Sequence, residues 1–425
     1  MVIKKIKHLF FITIIIFSLP FIFSCTSFEP VEYNVYIAES ESEEKIDFSF
    51  KSKNINEEEK VLTKKNKDRL ANEKIKALVS NSKREAIKVK GLYYPAYILG
   101  DQSKFNDIMN KIINSNINTI VVDIKDDNGQ ITAEINSELL KSYNTFSIQL
   151  KNIEEMMKIL KEHNIYMIAR VASFRDTFLA RKRNDLAIMT KFGFLYRDDT
   201  KYAWLNPYKK EVWDYLVEIG KGCKRLGFDE VQFDYFRFST DRGMMSVFFD
   251  DKETDGRSKN DILIECSQYI YEKLLQEGLF VSIDVFGSII NSYKDQDSVG
   301  QNYSELLKYC DYISPMVYPS HYGAGYFGLT LPDKEPYNCV LSALNSSKTL
   351  VQSNYDITSH YGTVRPWLQG FTADYMSEYM NYGVNEYLEQ IKAVYDSGYE
   401  EWIFWNAGGN YAWEAFKKED ITNET

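Results

Sequence analysis

Histidine is scarce in this chain. The 425 residues hold four (His8, His163, His321 and His360), and the first falls in the leader. A histidine-rich catalytic metal site has almost no ligands to draw on, and no metal is expected. Cysteine is equally sparse: Cys25, Cys223, Cys266, Cys310 and Cys339, with no C-x-x-C spacing, which argues against zinc ribbons and thioredoxin-like centres. Positive charge is in the minority. Fifty-one Lys and Arg against 61 Asp and Glu leave a formal net charge of −10, the wrong sign for tracking nucleic acid phosphates. There is no G-x-S-x-G elbow, P-loop or H-E-x-x-H, and no run of 18 apolar residues beyond the leader. No cofactor is expected.

What is present begins with an export pattern. Lys4, Lys5 and Lys7 make a basic start, Leu9 to Phe23 an apolar stretch, and Ile22-Phe23-Ser24-Cys25 a close. A small residue before cysteine resembles a bacterial lipobox, loosened by Phe23. Residues 1–24 are therefore expected to be a lipoprotein signal peptide, with Cys25 lipidated and the exported chain anchored in the cell envelope rather than spanning it. Residues 25–87 are charge-dense, as in Glu-Ser-Glu-Ser-Glu-Glu at 39–44, and too poor in apolar side chains to offset ordering entropy. They are expected to be a flexible tether, with room for a helix near 66–79.

From residue 88 to about 420 the pattern changes to short β-branched or aromatic runs alternating with amphipathic stretches. Strands are expected at 91–97, 118–125, 165–172, 230–238, 280–287, 312–319, 365–371 and 400–407, with helices between them, as at 102–115, 149–163, 208–226, 258–277 and 384–397. Eight strands and seven intervening helices is the count of an α/β fold of the (β/α)8 TIM-barrel type. Helix-to-strand connections are short, apart from 350–364. Strand-to-helix connections such as 173–207, 239–257 and 320–335 are long, which places the working end at the C-terminal ends of the strands.

Period-two alternation then orients the side chains. In Val231-Gln232-Phe233-Asp234-Tyr235, the apolar set should meet the helices, so Gln232 and Asp234 point inward and Tyr235 outward. Strand five repeats this with Ser282 and Asp284 inward. Two inward carboxylates on adjacent strands are costly for stability alone, and one must hold a proton or be strongly hydrogen-bonded. That is the physical basis of an acid paired with a nucleophile or base, so Asp234 and Asp284 are the expected catalytic pair. Asp123 has a similar address, although Lys125 shares its face and could pair with it. Asp374, after strand seven, is a further candidate. Tyr94, Arg170, Tyr318, His321, Trp367, Gln369, Trp405 and Asn406 gather at the same rim, where donors, acceptors and flat apolar faces suit a polyhydroxylated ligand. The 15% aromatic content fits sugar stacking but also an ordinary large core.

These segments carry a resemblance. GLYYPAY (91–97), NTIVVDIKDDNG (118–129), FDEVQFDYFRF (228–238), SIDVFG (282–287), DYISPMVYPSHY (311–322) and RPWLQGF (365–371), taken in order, make the region 88–417 resemble a bacterial barrel family described as "putative glycosyl hydrolase", distantly similar to the α-amylase clan. The resemblance implies a glycan-active barrel with a carbohydrate substrate. In that clan a nucleophilic Asp sits on strand four, an acid on strand five and a stabilising Asp after strand seven, the addresses of Asp234, Asp284 and Asp374. The clan's acid is usually Glu, and an Arg precedes its nucleophile by two residues where this chain has Gln232. Hydrolysis of O-glycosidic bonds is the leading expectation. A glycan-binding barrel without catalysis is the main alternative, and other chemistry on the same fold stands behind it. Within the last, a Schiff-base lysine is expected at an inner strand position, and only Lys125 comes near.

Overall fold

The computed structural model describes Asn66 and residues 69–418; the leader, Cys25 and most of the expected tether lie outside the described residues. Nine strands form one all-parallel sheet: β1 (Lys90–Tyr94), β2 (Thr119–Lys125), β3 (Tyr166–Ala172), β4 (Glu230–Asp234), β5 (Phe280–Phe286), β6 (Tyr312–Met316), β7 (Thr363–Val364), β8 (Trp367–Gln369) and β9 (Trp402–Trp405). From β1 to β7 each strand pairs with its successor in the chain, β8 pairs with β6 and β9, and β9 pairs with β1, so the sheet closes on itself. Both β7 and β8 pair with β6, and Arg365 and Pro366 interrupt what is one stave. A proline there cannot donate to the ladder, which explains the break. Counted by staves, this is an eight-stranded closed barrel.

Helices return each strand to the next: α1 (Gln102–Ile113), α2 (Ile153–Glu162), α3 (Lys210–Leu226), α4 (Lys259–Gln276), α5 (Tyr293–Val299), α6 (Pro336–Ser353) and α7 (Val384–Asp396). After β9 a 3-10 turn, Trp413–Phe416, stands in the eighth place. The starts and stops have local causes. Ser258 and Asp261 form a reciprocal capping box at the head of α4, and Gly227, with φ of 95°, ends α3. Two apolar layers result. Val231, Phe233, Val281, Ile283 and Val285 pack outward against the helices, while Val121, Ile168, Tyr312, Trp367 and Ile403 fill the interior.

The boundary expected at 88 lies inside the folded unit. Residues 69–80 are helical, Ile75 is fully buried, and the segment closes the base of the barrel. Asn72 donates to Ser359 (3.1 Å) and Lys76 to the carbonyl of Ile357 (2.6 Å), both in the connection that follows α6. That long basal connection is thus the seat of the N-terminal helix. Further on, Arg84 forks onto both oxygens of Asp311 (2.6 and 2.8 Å) and lies over the Phe280 ring.

Among the described residues no helix is long and apolar enough to cross a membrane.

Candidate active site

Inside the base, Glu230 accepts from Ser282 (2.5 Å), Tyr166 (3.1 Å) and the guanidinium of Arg365, which also lies 3.6 Å from Glu401. The side chains of Glu230 and Arg365 have no exposure. One layer up, Gln232 donates to Ser314 (3.2 Å). At the C-terminal mouth the polar groups become accessible, and one residue organises them. Arg170, at 6% exposure, donates through Nε and Nη2 to Asp234 (3.0 and 2.5 Å), through Nη1 to Asp123 (2.6 Å) and through Nη2 to Asp127 (3.0 Å). A planar guanidinium with five fixed donors is the side chain able to serve three carboxylates at once.

The three carboxylates differ. Burial pushes Asp123 up to about 6, against the pull of Arg170, and Tyr93 donates to it at 2.6 Å. Burial also opposes the charge of Asp127, yet Arg170 and Arg175 hold it below the usual carboxylate range. Asp234, at 14% exposure, receives the neighbouring Tyr235 N–H (2.5 Å) in addition to Arg170. That short bond goes with the left-handed backbone of Tyr235, φ 48°, a conformation that non-glycine residues rarely adopt. The twist also turns Tyr235 away from the outward course expected for it. Its hydroxyl instead accepts from Arg175 (2.5 Å) and donates to Asp127 (3.2 Å).

Asp284 completes the constellation from β5. It is 1% exposed, and Trp367 Nε1 donates to it at 2.7 Å. Burial first, then the nearby Asp234 carboxylate, raise it well above the usual range, and the Trp367 bond offsets only part of this. Asp284 therefore keeps its proton where ordinary carboxyls have lost theirs. Above it, Tyr93, Trp405 and Tyr318 form a stacked row with centroids 6.2 Å apart at each step. Phe371 and His321 close that wall edge-on to Tyr318 or tilted against each other.

A carboxyl that keeps its proton, a salt-bridged carboxylate and a wall of flat rings are the parts that acid–base chemistry on a sugar requires. Over residues 91–411 the sequence matches the model of the family described as "putative glycosyl hydrolase domain". The chain belongs to that family. No curated protein matches the sequence. Among solved structures, a hypothetical protein from Ruminiclostridium thermocellum is 34% identical over 46% of this chain and 97% of its own, with a TM-score of 0.42. The glycoside hydrolase domain of PgaB (BpsB) from Bordetella bronchiseptica is 11% identical over 76% of this chain and 95% of its own, TM-score 0.52. The β-galactosidase of Marinomonas ef1 is 10% identical over 75% and 54%, TM-score 0.51. At such identities the last two are likenesses of fold.

Within this glycosyl hydrolase family barrel, the other expected rim residues divide. Tyr94 is not at the rim. Its side chain is buried toward the helices, edge-on to Tyr411, and the inward tyrosine of β1 is Tyr93. Lys125 does not share a face with Asp123. A register shift between them turns Lys125 into a fully buried pair with Asp176 (2.9 Å), far from any role as a Schiff-base lysine. Gly129, at φ 93°, must stay glycine there, since a Cβ would sit 2.0 Å from Asp176. Gln369 is buried and ties loops together through Asp333 (3.1 Å) and the Ser320 N–H (3.0 Å). Asn406 likewise holds backbone, donating to Gly370 (2.5 Å) and accepting from Gly408 (2.9 Å). Asp374 is exposed and makes no hydrogen bond or ion pair among the described residues. Those the alternation could not reveal are Tyr93, Asp127, Arg175 and Tyr235. The DDNG turn was the available signal for Asp127. Among the described residues no cluster of His, Cys, Asp or Glu is arranged to hold a metal ion.

Proposed function

We propose that the barrel hydrolyses O-glycosidic bonds of an oligo- or polysaccharide, with Asp284 as the proton donor and Asp234 as nucleophile or base. The observation that carries this reading is the contrast between the two carboxyls: Asp284 buried beside Trp367 and raised, Asp234 more open and bound by the Arg170 fork. The donor gives its proton to the departing glycosidic oxygen, while the Asp234 carboxylate meets the positive charge growing at the anomeric carbon or takes a proton from water. Half-buried Trp405, held between the buried Tyr93 and Tyr318, supplies flat apolar surface for the sugar. Asp374 is left without a role in this scheme. The leader pattern adds an exported, lipid-anchored envelope protein, held by Cys25 and spaced by the charged stretch that follows it.

A non-catalytic glycan-binding barrel is favoured by one observation, the 1% exposure of Asp284, since a proton donor must reach its substrate. Cleavage of a panel of cell-wall and storage glycans by the full chain, Asp234→Asn and Asp284→Asn separates the two. Hydrolysis by the parent and by neither variant establishes the hydrolase. Binding without cleavage, equal in all three, establishes the binding barrel.

A further inference from the structure

Beyond the carboxylates the mouth contains a cation that no carboxylate touches. Arg237 lies three residues past Asp234, at the exit of β4. Its guanidinium carbon stands 4.4 Å from the centroid of Phe286, 5.1 Å from Trp204 and 5.3 Å from Tyr235. Phe286 in turn ends β5, two residues beyond Asp284. The group is half-buried, and its one polar contact is Nη1 to the carbonyl of Phe238 at 3.0 Å. Asp234 and Asp241 act on it only through space, and neither forms an ion pair with it. Asp234 serves Arg170 and the Tyr235 N–H, and Asp241 accepts the backbone N–H of Asp199 at 2.6 Å.

Its isolation is unusual within the molecule. Among the described residues, every other arginine that is buried or half-buried has a carboxylate partner: Arg84 with Asp311, Arg170 with Asp234, Arg175 with Asp127, Arg183 with Glu211, Arg257 with Glu265 and Arg365 with Glu230. A cation held partly out of water without an anion is costly, and burial does lower the proton affinity of Arg237. Aromatic faces recover some of that cost. They leave the Nε and Nη2 edge of the fork free, and that edge has the geometry that takes both oxygens of a carboxylate.

We propose that Arg237, walled by Phe286, Trp204 and Tyr235, is a subsite for a carboxylate carried on a sugar ring, so that the glycan this site takes is an acidic one. The carboxylate belongs to a uronic acid or to a lactyl ether on the ring; the chemistry read by the fork is the same. This rests on the carbohydrate reading of the mouth but not on hydrolysis. The free edge of the guanidinium receives the two oxygens, and the three rings pack against the sugar that bears them.

The test uses the full chain purified in detergent, with binding followed by calorimetry and cleavage followed in parallel. Two matched pairs of probes separate the sources: an oligogalacturonide with its carboxyl-reduced counterpart, and a muramyl oligosaccharide with its lactyl carboxyls amidated or free. At low salt, one acidic member should bind about tenfold tighter than its neutral partner, as a charge-assisted bidentate contact gives. The ratio should fall to about one in Arg237→Gln, and Arg237→Lys, which keeps the charge and loses the fork, should fall between. An equal ratio in the parent and Arg237→Gln, a preference for the neutral members, or no binding of any probe overturns the subsite and leaves Arg237 a clamp between rings. An Arg237-dependent preference without cleavage of any glycan keeps the subsite and defeats hydrolysis. Cleavage of neutral glycans with no acidic preference does the reverse.

Discussion

The barrel encloses two arginine–carboxylate clusters, one at its base and one at its mouth. At the base, Arg365 meets Glu230 and Glu401 with no solvent, and the surrounding Ser282, Tyr166 and Tyr312 are spent on the same groups. At the mouth, Arg170 meets three aspartates whose side chains are 10%, 40% and 14% exposed, and a fourth, Asp284, stands unpaired by any arginine bond. The base is closed to solvent, with one arginine between two glutamates; the mouth is open, and there Asp284 and Arg237 each stand without an ion-pair partner. Ion pairs as such therefore do not separate the two ends. Access does.

The largest test of this contrast is Asp234→Asn. It should lower glycan cleavage by about a thousandfold or more, the scale of losing a nucleophile or base, while the thermal midpoint moves little. A large fall in stability with activity per folded molecule unchanged would falsify the assignment of the mouth to chemistry. Glu230→Gln should do the opposite. Unpairing the buried Arg365 should cost about 3–5 kcal/mol of unfolding free energy in a denaturant titration, with cleavage by the remaining folded protein close to the parent's. Equal damage to both properties in both variants would erase the distinction between the two ends.

The pH dependence sharpens the comparison further. Asp123 is raised in the fold to about 6 from an ordinary 3.8. A raised acid stabilises the fold below its unfolded value and loses that contribution as pH climbs through the folded one. Between about pH 4 and 7 the parent should lose stability on the order of 3 kcal/mol from this group, and Asp123→Asn should show a flatter curve over that window. Asp284 is raised by burial and by Asp234, so cleavage should persist beyond the pH at which an ordinary carboxyl ionises and fail on the alkaline side of the donor's own titration. A profile with only an acidic limb would remove Asp284 as the donor. The smallest effect is expected outside the barrel proper. Arg84→Ala should cost about 2 kcal/mol, the scale of a hydrogen bond to charge left unmade on Asp311, and leave cleavage unaltered.

Much of this architecture is legible in the sequence. Six of the strand segments expected from β-branched runs agree with the observed ones at their N-terminal ends within a residue, and the alternation correctly turned Asp234 and Asp284 inward. It worked there because β4 and β5 carry polar residues on one face only. In Gly-Leu-Tyr-Tyr-Pro neither face of β1 is polar, so the pattern held no parity and Tyr94 was taken for Tyr93. A single extra residue in β2 reversed Lys125, and a left-handed Tyr235 broke the period at the end of β4. Neither event leaves a trace in hydrophobic periodicity. The segment 69–87 reads as tether because the charge-dense stretch ahead of it masks a short helix in which only Arg69, Glu73, Lys74 and Lys76 are charged. Its attachment is by individual polar contacts such as Asn72 to Ser359 and Arg84 to Asp311, plus the one deep side chain, Ile75.

That basal helix also decides where mechanical load falls. Tension that reaches residue 69 passes into the fold through the Lys74–Glu272 pair, the Asn72 and Lys76 bonds to the connection after α6, and the Arg84 fork. All of them grip the end opposite the Arg170 cluster. A pull arriving at residue 69 is thus resisted by the floor of the barrel, and the Arg170 cluster at the mouth is spared the strain.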